Sequence, residues 1–480
     1  MQKKVYYANG PDMGASNSNL QQYISLLEER GEVVRIKAEV DPVQEIAAIT
    51  DRVCKQSGGG KALLFEKPVG SDFVVATNLF GSIRRVCLAL GVENLQQLTE
   101  RISALLELIP GLSLVGLERQ IAGQPGFSGF APLASIHVDS GLVEMVPPDL
   151  TKLPFLQTWP GDGSADGFPR YITLPLVFTA SPDGSSPNCG MYRCQLRGPD
   201  QLAIRWKTGS GGAAHLLMYR QLGKRMPVAI TLGGDPAITF SAMFPLPGSL
   251  DEMTFAGFLR DRRLEMSACS TVPLQVPTGS ELVLEGYIDP AETVIEGAFG
   301  NHTGAYSPAG LAALLRITAI YHRPGAIVPA TVVGPPPMED CWMAKAWEAV
   351  LLAFLRSLIP NVHGISFPLE WIFHQSAVIS LDNPNPDIVR ETAEHLWSMQ
   401  WFCSARLLIF VDACQDVSDL SRVAWSSINL TEFGRDLFYD QTGQRLAIDA
   451  TGAHDLRRRV SVDDEILQRM DLRWKEYGIE

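Results

Sequence analysis

The sequence has no C-x-x-C cysteine pair and no long apolar run. A chain of 480 residues can fold without disulfide bonds, so we expect its eight cysteines to be reduced and mostly buried. No stretch of about 18 apolar residues predicts a membrane-spanning helix, and the first residues lack the apolar core of a signal peptide. These absences predict a cytoplasmic protein with no stable membrane span.

Positive charge is also scarce. The chain has 40 lysines and arginines against 53 acidic residues, which gives a formal net charge of −13. An acidic surface of this kind repels the phosphates of nucleic acids and of anionic lipids. We therefore expect no nucleic-acid partner.

Several common catalytic motifs are missing. The glycines at positions 209–212 do not form a G-x-G-x-x-G turn, and no Walker loop occurs. There is no G-x-S-x-G elbow and no H-E-x-x-H helix. Rossmann-type, P-loop, serine hydrolase and zinc protease functions therefore lose their usual support.

The chain is too long for one hydrophobic core, so its patterns predict several domains. Alternating helical and strand patterns predict an N-terminal α/β domain over residues 1–114. Short β-branched and aromatic runs between Gly, Pro and Asp clusters predict a barrel or split barrel over residues 115–325. Strand–helix alternation returns over residues 326–450 and predicts a second, mostly parallel sheet. Residues 451–480 end in a helix whose apolar face we expect a neighbouring subunit to cover.

Three local predictions bear on the site. Residues 171–179 are predicted to form one strand. Residues 191–196 are predicted to form another, with Tyr192 on one face and Arg193 on the other. Residues 314–321 and 326–333 are predicted to pair as a hairpin across the Arg-Pro-Gly turn at 323–325.

Chemically useful side chains concentrate between residues 188 and 301. An arginine on an inward strand face needs an anion, so Arg193 is either a carboxylate clamp or part of a structural salt bridge. His215 either points from a helix start into a site or is a structural histidine. Glu252, in a predicted first helical turn, is explained by a ligand or by the helix dipole. Glu296 and Asn301 stand among glycines that permit close approach of a ligand.

Several segments between residues 159 and 340 resemble a known protein family. The relevant segments are WPGDG at 159–163, NCGMYRCQL at 188–196, FPLPGSLDEMTFAGFLR at 244–260, VIEGAFGNHTGAYS at 294–307 and PATVVGPPPMED at 329–340. In these segments the chain resembles the UbiD-type decarboxylases, which use prenylated FMN. The likeness runs in order from about residue 20 to about residue 450.

The resemblance implies an architecture and a set of ligands. It implies an α/β class fold with an N-terminal α/β cap, a central flavin-binding split β-barrel and a C-terminal α/β oligomerisation domain, assembled as a homodimer or homohexamer. It implies that Mn²⁺ (or Mg²⁺) is held by Asn188, His215 and Glu252, with K⁺ (or Na⁺) nearby. The implied cofactor-binding residues are Asn188, Met191, Tyr192, Arg193, Ala214, His215, Met243 and Glu252.

The resemblance also implies an activity, which is the reversible, non-oxidative decarboxylation of an aromatic or heteroaromatic acid through a covalent adduct with prenylated FMN. Arg193 would hold the substrate carboxylate and Glu296 would return a proton to the ring carbon, with CO2 as product. Asn301 stands where relatives carry a second acid, and an amide can orient a substrate but cannot act as a general acid. The proton then comes from Glu296, from water bound to Asn301, or from His302, unless the substrate needs less help.

The choice of substrate and role stays open at this point. The 4-hydroxybenzoate and dihydroxynaphthoate branches are the most similar, and a flavin prenyltransferase would supply the cofactor. A physiological carboxylase of anaerobic aromatic degradation and a non-catalytic subunit of a larger complex are the alternatives. Loops near Phe367, Trp371 and Phe373 are expected to line the substrate pocket.

Overall fold

The computed structural model of the chain describes residues 19–109, 112, 120–121, 124–244, 246–247, 250–453 and 462–478. The predicted domain boundary at 114/115 falls outside these residues. The α-helices are Leu20–Glu29, Glu45–Cys54, Ile83–Leu90, Leu95–Leu106, Pro125–Ser128, Gly211–Leu222, Pro236–Met243, Glu252–Arg260, Glu339–Leu358, Pro386–Ser398, Leu420–Asn429 and Asp464–Arg473. Short 3-10 helices are Ser57–Gly59, Leu150–Lys152 and Trp474–Tyr477.

The N-terminal sheet has four strands, in the order Val33–Val40, Ala62–Pro68, Val74–Thr77 and Ile327–Ala330. The last strand pairs in parallel with Val74–Thr77. The predicted hairpin across residues 323–325 is therefore wrong. The reason is that the preceding strand, Gly310–His322, already pairs on both edges, so the chain crosses to the free edge of the other sheet.

The central domain is built on a nine-stranded sheet, as the β-rich pattern predicted. Its main path runs in the order Tyr171–Ile172, Cys194–Leu196, Gln201–Ile204, Gly310–His322, Leu282–Glu296, Met226–Leu232, Leu176–Ala180 and Pro187–Met191, with Val143–Glu144 added beside Gly310–His322. The two ends of this path do not pair with each other, as expected of a split barrel. Smaller sheets join Leu133–Ala134, Glu265–Ala268 and Gln275–Pro277, and Phe299–Gly300 with Tyr306–Ser307.

Two predicted strands of this sheet are interrupted. The strand predicted over 171–179 breaks before Leu176, where Pro175 has no N–H for a sheet hydrogen bond. The strand predicted over 191–196 splits into Pro187–Met191 and Cys194–Leu196. Tyr192 and Arg193 leave the sheet between them, so strand alternation does not set the direction of their side chains.

The C-terminal sheet has the order Val362–Ser366, Ser376–Leu381, Leu407–Asp412, Leu446–Asp449 and Leu437–Tyr439. The three middle strands are parallel and both edge strands are antiparallel, so the sheet is mixed rather than mostly parallel. The long helix Glu339–Leu358 packs against Leu95–Leu106 and so joins the N-terminal and C-terminal parts. In the tail helix Asp464–Arg473, Leu472 is 87% exposed, and its cover by a neighbouring subunit stays a prediction. Among the described residues, none of the helices combines the length and the apolar character needed to cross a membrane.

Glu339 makes the fold sensitive to pH. Its Oε1 accepts a hydrogen bond of 2.8 Å from the Phe80 backbone N–H, and its side chain is buried where the long helix begins. Burial raises the pKa of Glu339 from 4.5 to about 7. Between pH 4.5 and about 7, the folded protein keeps a proton on Glu339 that the unfolded chain has lost. The stabilisation from this proton is therefore complete below pH 4.5 and disappears as the pH rises through about 7.

We predict that Glu339→Gln removes this pH dependence, because glutamine keeps the acceptor for Phe80 and cannot ionise. Between pH 5 and 8, the wild type should lose on the order of 1–3 kcal/mol of unfolding free energy relative to the variant. Denaturant titration at each pH measures the difference. Glu292→Gln, at an exposed glutamate, is the control. Parallel pH profiles for wild type and Glu339→Gln would contradict the prediction.

Candidate active site

Arg193 and Glu296 form the polar centre of the site. The guanidinium donates two hydrogen bonds of 2.8 Å, from Nε to Oε1 and from Nη2 to Oε2 of the carboxylate. Glu296 is fully buried, whereas the Arg193 side chain keeps 27% exposure. The guanidinium also lies 4.7 Å from the ring centroid of Phe299. The sequence left open whether Arg193 is a carboxylate clamp or part of a salt bridge. The structure shows a salt bridge with Glu296, in which the Arg193 side chain is partly exposed to solvent.

The backbone around Glu296 is held on several sides. Glu296 ends the long strand Leu282–Glu296, and the Tyr171 hydroxyl donates to the carbonyls of the next two residues, at 3.1 Å each. The side-chain carbonyl of Gln195 accepts from the Gly297 N–H at 3.2 Å. Arg205, a residue that the sequence did not single out, places Nη1 3.7 Å from Glu296 Oε2. The buried carboxylate is thus fixed in position and faces two arginines.

Hydrogen bonds link two of the predicted metal ligands to each other through Thr179, and the third to the backbone beside them. Thr179 Oγ1 is 2.9 Å from His215 Nδ1 and accepts from Asn188 Nδ2 at 3.4 Å. Glu252 Oε2 accepts from the backbone N–H of Cys189 at 3.1 Å, directly beside Asn188. The contact with Thr179 uses Nδ1 of His215 and leaves Nε2 for an ion. Thr179 carries no motif by which the sequence alone could have identified it.

Burial affects the charge state of two of these ligands. It lowers the pKa of His215, which favours the neutral imidazole that binds metals. It also raises the pKa of Glu252 to about 7, because a buried carboxylate without a cation is costly to ionise.

Gly211 lies close against the side chain of Asn188. A side chain at Gly211 would put its Cβ 1.9 Å from Asn188 Oδ1, so only glycine leaves this oxygen room. In the described part of the chain, no three His, Cys, Asp or Glu side chains are close enough to hold a metal by themselves. A divalent ion here would need the Asn188 amide oxygen as a third ligand. Such a mixed oxygen and nitrogen set suits Mn²⁺ or Mg²⁺.

The N-terminus of a helix adjoins this group. The helix Gly211–Leu222 begins here, and its N-terminal N–H groups favour an anion. Trp206 directs its indole N–H towards Gly212, and this buried Nε1 has no hydrogen-bond partner among the described residues. Trp206 was missed in the sequence, where it looks like an ordinary strand aromatic.

The remaining predicted cofactor residues lie around the same strand. The ring of Tyr192 packs edge to face on Trp206, with centroids 6.2 Å apart. Burial raises the pKa of Tyr192 against the opposing effect of Asn188 beside its hydroxyl. Met191 ends the strand Pro187–Met191 and Met243 ends a helix that packs against it, and both are half-buried. Ala214 is exposed on the first turn of the helix Gly211–Leu222.

Asn301 is engaged within its own turn. Its Oδ1 accepts from the backbone N–H of Thr303 at 2.8 Å and from the Thr303 hydroxyl at 2.5 Å. Its Nδ2 donates to Ser307 Oγ at 2.8 Å. Both polar atoms of the amide therefore hold the hairpin turn.

The site has an open face. Two cavities in the described part of the chain lie away from this site. One is lined in part by Leu79 and Pro236, and the other by Asp412 and Trp425 of the C-terminal domain. The Arg193 and Arg205 side chains keep 27% and 36% exposure. On this side Glu296 is covered by two partly exposed arginines.

Comparison with protein-family models gives three matches. Residues 24–105 match the N-terminal domain, 136–336 the Rift-related domain and 341–461 the C-terminal domain of UbiD, 3-octaprenyl-4-hydroxybenzoate carboxy-lyase. An uncharacterized protein of Archaeoglobus fulgidus is 37% identical over 420 residues, which are 87% of this chain and 85% of that protein. An uncharacterized protein of Aquifex aeolicus is 34% identical over 98% of this chain and 100% of its own length.

Solved structures agree with these matches. The UbiD-class enzyme HmfF from Pelotomaculum thermopropionicum, in an evolved dimeric form in complex with prFMN, is 25% identical with a TM-score of 0.79. That likeness covers 93% of this chain and 97% of that one. The vanillic acid decarboxylase of Sedimentibacter hydroxybenzoicus in closed form has a TM-score of 0.81 at 23% identity and covers 97% of this chain and 100% of that one, which shows the shared fold.

We predict that Gly211→Ala abolishes tight Mn²⁺ binding, because the added Cβ displaces Asn188 Oδ1. Alanine is a better helix former than glycine, so the helix itself should not suffer. Isothermal titration of the purified protein with Mn²⁺ measures the effect. Gly434→Ala is the matched control, because nothing lies within 4 Å of the Cβ position there. Equal Mn²⁺ affinity in the two variants would remove Asn188 from the metal site.

Proposed function

The chain belongs to the UbiD family of carboxy-lyases, and from this premise we propose that it catalyses the reversible, non-oxidative decarboxylation of an aromatic or heteroaromatic acid with prenylated FMN. The observation that carries the proposal is the two-point pairing of Arg193 with the fully buried Glu296. It sets a carboxylate-binding cation and a proton-carrying acid side by side.

The pair can support the reaction in a definite order. A substrate carboxylate that reaches the exposed side of Arg193 competes with Glu296 for the guanidinium. A buried carboxylate whose cation is shared takes up a proton more readily. When the carbon–carbon bond breaks and CO2 leaves, Glu296 can then give that proton to the ring carbon.

The flavin would be held by the groups around Asn188. Asn188, His215 and Glu252 would bind Mn²⁺ or Mg²⁺, and the ion together with Trp206 and the N-terminus of the helix Gly211–Leu222 would hold the phosphate. K⁺ or Na⁺ nearby, bound largely by backbone oxygens, belongs to the same proposal. The prenylated flavin, when bound, supplies the electrophilic centre that accepts the electrons of the breaking bond. The HmfF structure in complex with prFMN supports this choice of cofactor.

For the substrate we propose a hydroxybenzoate or hydroxynaphthoate type of acid. Asn301 is an amide, so the site has no second acid at that position. Both of its polar atoms are engaged in its turn. A ring with a hydroxyl donor compensates by stabilising charge electronically. Carboxylation in anaerobic aromatic degradation would use the same residues in the reverse direction. The intact Arg193–Glu296 pair favours an enzyme over a non-catalytic subunit.

We also propose that the chain assembles with copies of itself. A homodimer or homohexamer would bury the exposed apolar residues of the tail, such as Leu472. A flavin prenyltransferase is the proposed source of the cofactor.

We predict that Glu296→Gln and Arg193→Lys, co-expressed with a flavin prenyltransferase, keep the flavin absorbance and lose at least about 10²-fold in CO2 release. Glutamine cannot donate the proton, and lysine cannot pair at two points. The assay screens hydroxylated aromatic acids for CO2 release and for deuterium exchange at the ring carbon. Arg316→Lys is the matched control, because Arg316 pairs with Glu292 on the exposed surface.

Two outcomes would contradict the proposed function. Near-wild-type rates in Glu296→Gln would exclude the acid role. A wild-type protein that takes up no flavin and exchanges no substrate would favour the non-catalytic subunit.

A further inference from the structure

Proton supply to Glu296 is a problem that the pair with Arg193 does not solve. Each decarboxylation consumes one proton, yet Glu296 is fully buried and has no solvent contact of its own. Asn301 cannot carry the proton, because an amide does not ionise and its polar atoms hold the turn. An ionisable side chain close to solvent can supply that proton.

His302 lies close to Glu296 along the chain. It follows the strand Phe299–Gly300, whose Phe299 ring covers the guanidinium that holds Glu296. The turn fixes its backbone, since the Asn301 N–H donates to the Ala305 carbonyl at 3.2 Å and the Gly304 N–H to the Asn301 carbonyl at 3.0 Å. Its side chain is 21% exposed, so the imidazole is partly open to solvent.

The surroundings of His302 resemble those of a histidine that transfers protons. Nδ1 lies 3.5 Å from Asp340 Oδ2, in the first turn of the helix Glu339–Leu358, and has no hydrogen-bond partner among the described residues. The ring packs edge to face on His374, at 4.6 Å between centroids, and against Phe373 at 5.7 Å. Burial, His302 and Lys207 together lower the pKa of His374 to about 4, so His374 is neutral at pH 7.

We propose that His302, oriented by Asp340, carries protons between solvent and Glu296. The role rests on the proposed function. In the decarboxylation, the electron pair of the broken carbon–carbon bond ends in the new C–H bond, to which Glu296 gives the proton. Protonated His302 then returns a proton to Glu296, directly or through water, and takes a new one from solvent. The sum is one carboxylate and one proton converted to one ring C–H and one CO2.

The test is chemical rescue of His302→Ala in the flavin-loaded enzyme. CO2 release should fall at least about 10²-fold, the lower end of the range for acid–base groups. Imidazole added to the buffer should restore it in a concentration-dependent way, because a small base can replace a lost proton carrier. A side chain with only a packing role would not be replaced by a dissolved base. Flavin absorbance and circular dichroism confirm that the variant is folded and loaded, and His302→Gln serves in its place if it is not.

Two further variants sharpen the result. Asp340→Asn should shift the pH profile of CO2 release, because the histidine loses its carboxylate. The titratable side chains that contact His302 are Asp340 and His374, and Lys207 acts on His374. His374→Gln is therefore compared as well. His363→Ala is the matched control, since His363 forms the same kind of pair with Asp382, at 3.4 Å, on the exposed surface.

The outcomes separate this role from the proposed function. An active wild type with an unimpaired His302→Ala, or with a loss that imidazole does not relieve, overturns the role of His302 alone. A flavin-loaded wild type that releases no CO2 from any acid overturns the proposed function and the role of His302 together.

Discussion

The site depends on one buried charge, the carboxylate of Glu296. An ionised group without solvent is costly unless it is paired and hydrogen-bonded, and removing one partner of such a pair leaves the other uncompensated. Arg193 supplies both hydrogen bonds, and Arg205 adds a second positive charge at 3.7 Å. The polar contacts of Tyr171 and Gln195 with the next residues keep the carboxylate in place. The rest of the central sheet can be understood as the support of this pair.

The same constraint explains where sequence patterns succeeded and where they failed. A helix such as Leu20–Glu29, which buries Leu20, Ile24 and Leu27 on one face, follows from local apolar spacing alone. The strand predicted over 191–196 was broken, because Arg193 turns towards a partner 103 residues further along the chain. No local pattern contains that information. The hairpin predicted across 323–325 failed for a related reason, since strand pairing depends on which edges are already occupied.

The candidate site shows a similar division. The resemblance named Asn188, His215 and Glu252, and the structure brings them together through hydrogen bonds that involve Thr179 and Cys189. It could not show that Gly211 makes room for Asn188. Nor could it show that the Trp206 N–H, beside the helix start, has no hydrogen-bond partner within the described ranges. These are features of packing between segments distant in sequence. Asn301 illustrates the converse, because its place in a motif suggested contact with substrate while its amide is used to hold a turn.

The two halves of the site are joined by a short piece of chain. Asn188 and Arg193 are five residues apart, and the strand Pro187–Met191 between them is fixed by pairing with Leu176–Ala180. A shift of this strand would move the proposed cofactor anchor and the carboxylate clamp together, because strand register admits no partial slip. The break after Met191 lets Arg193 turn while Asn188 stays in the sheet. Anchoring and chemistry are thus placed by one strand and its end, which explains why the arginine is found at an interruption of the sheet and not within it.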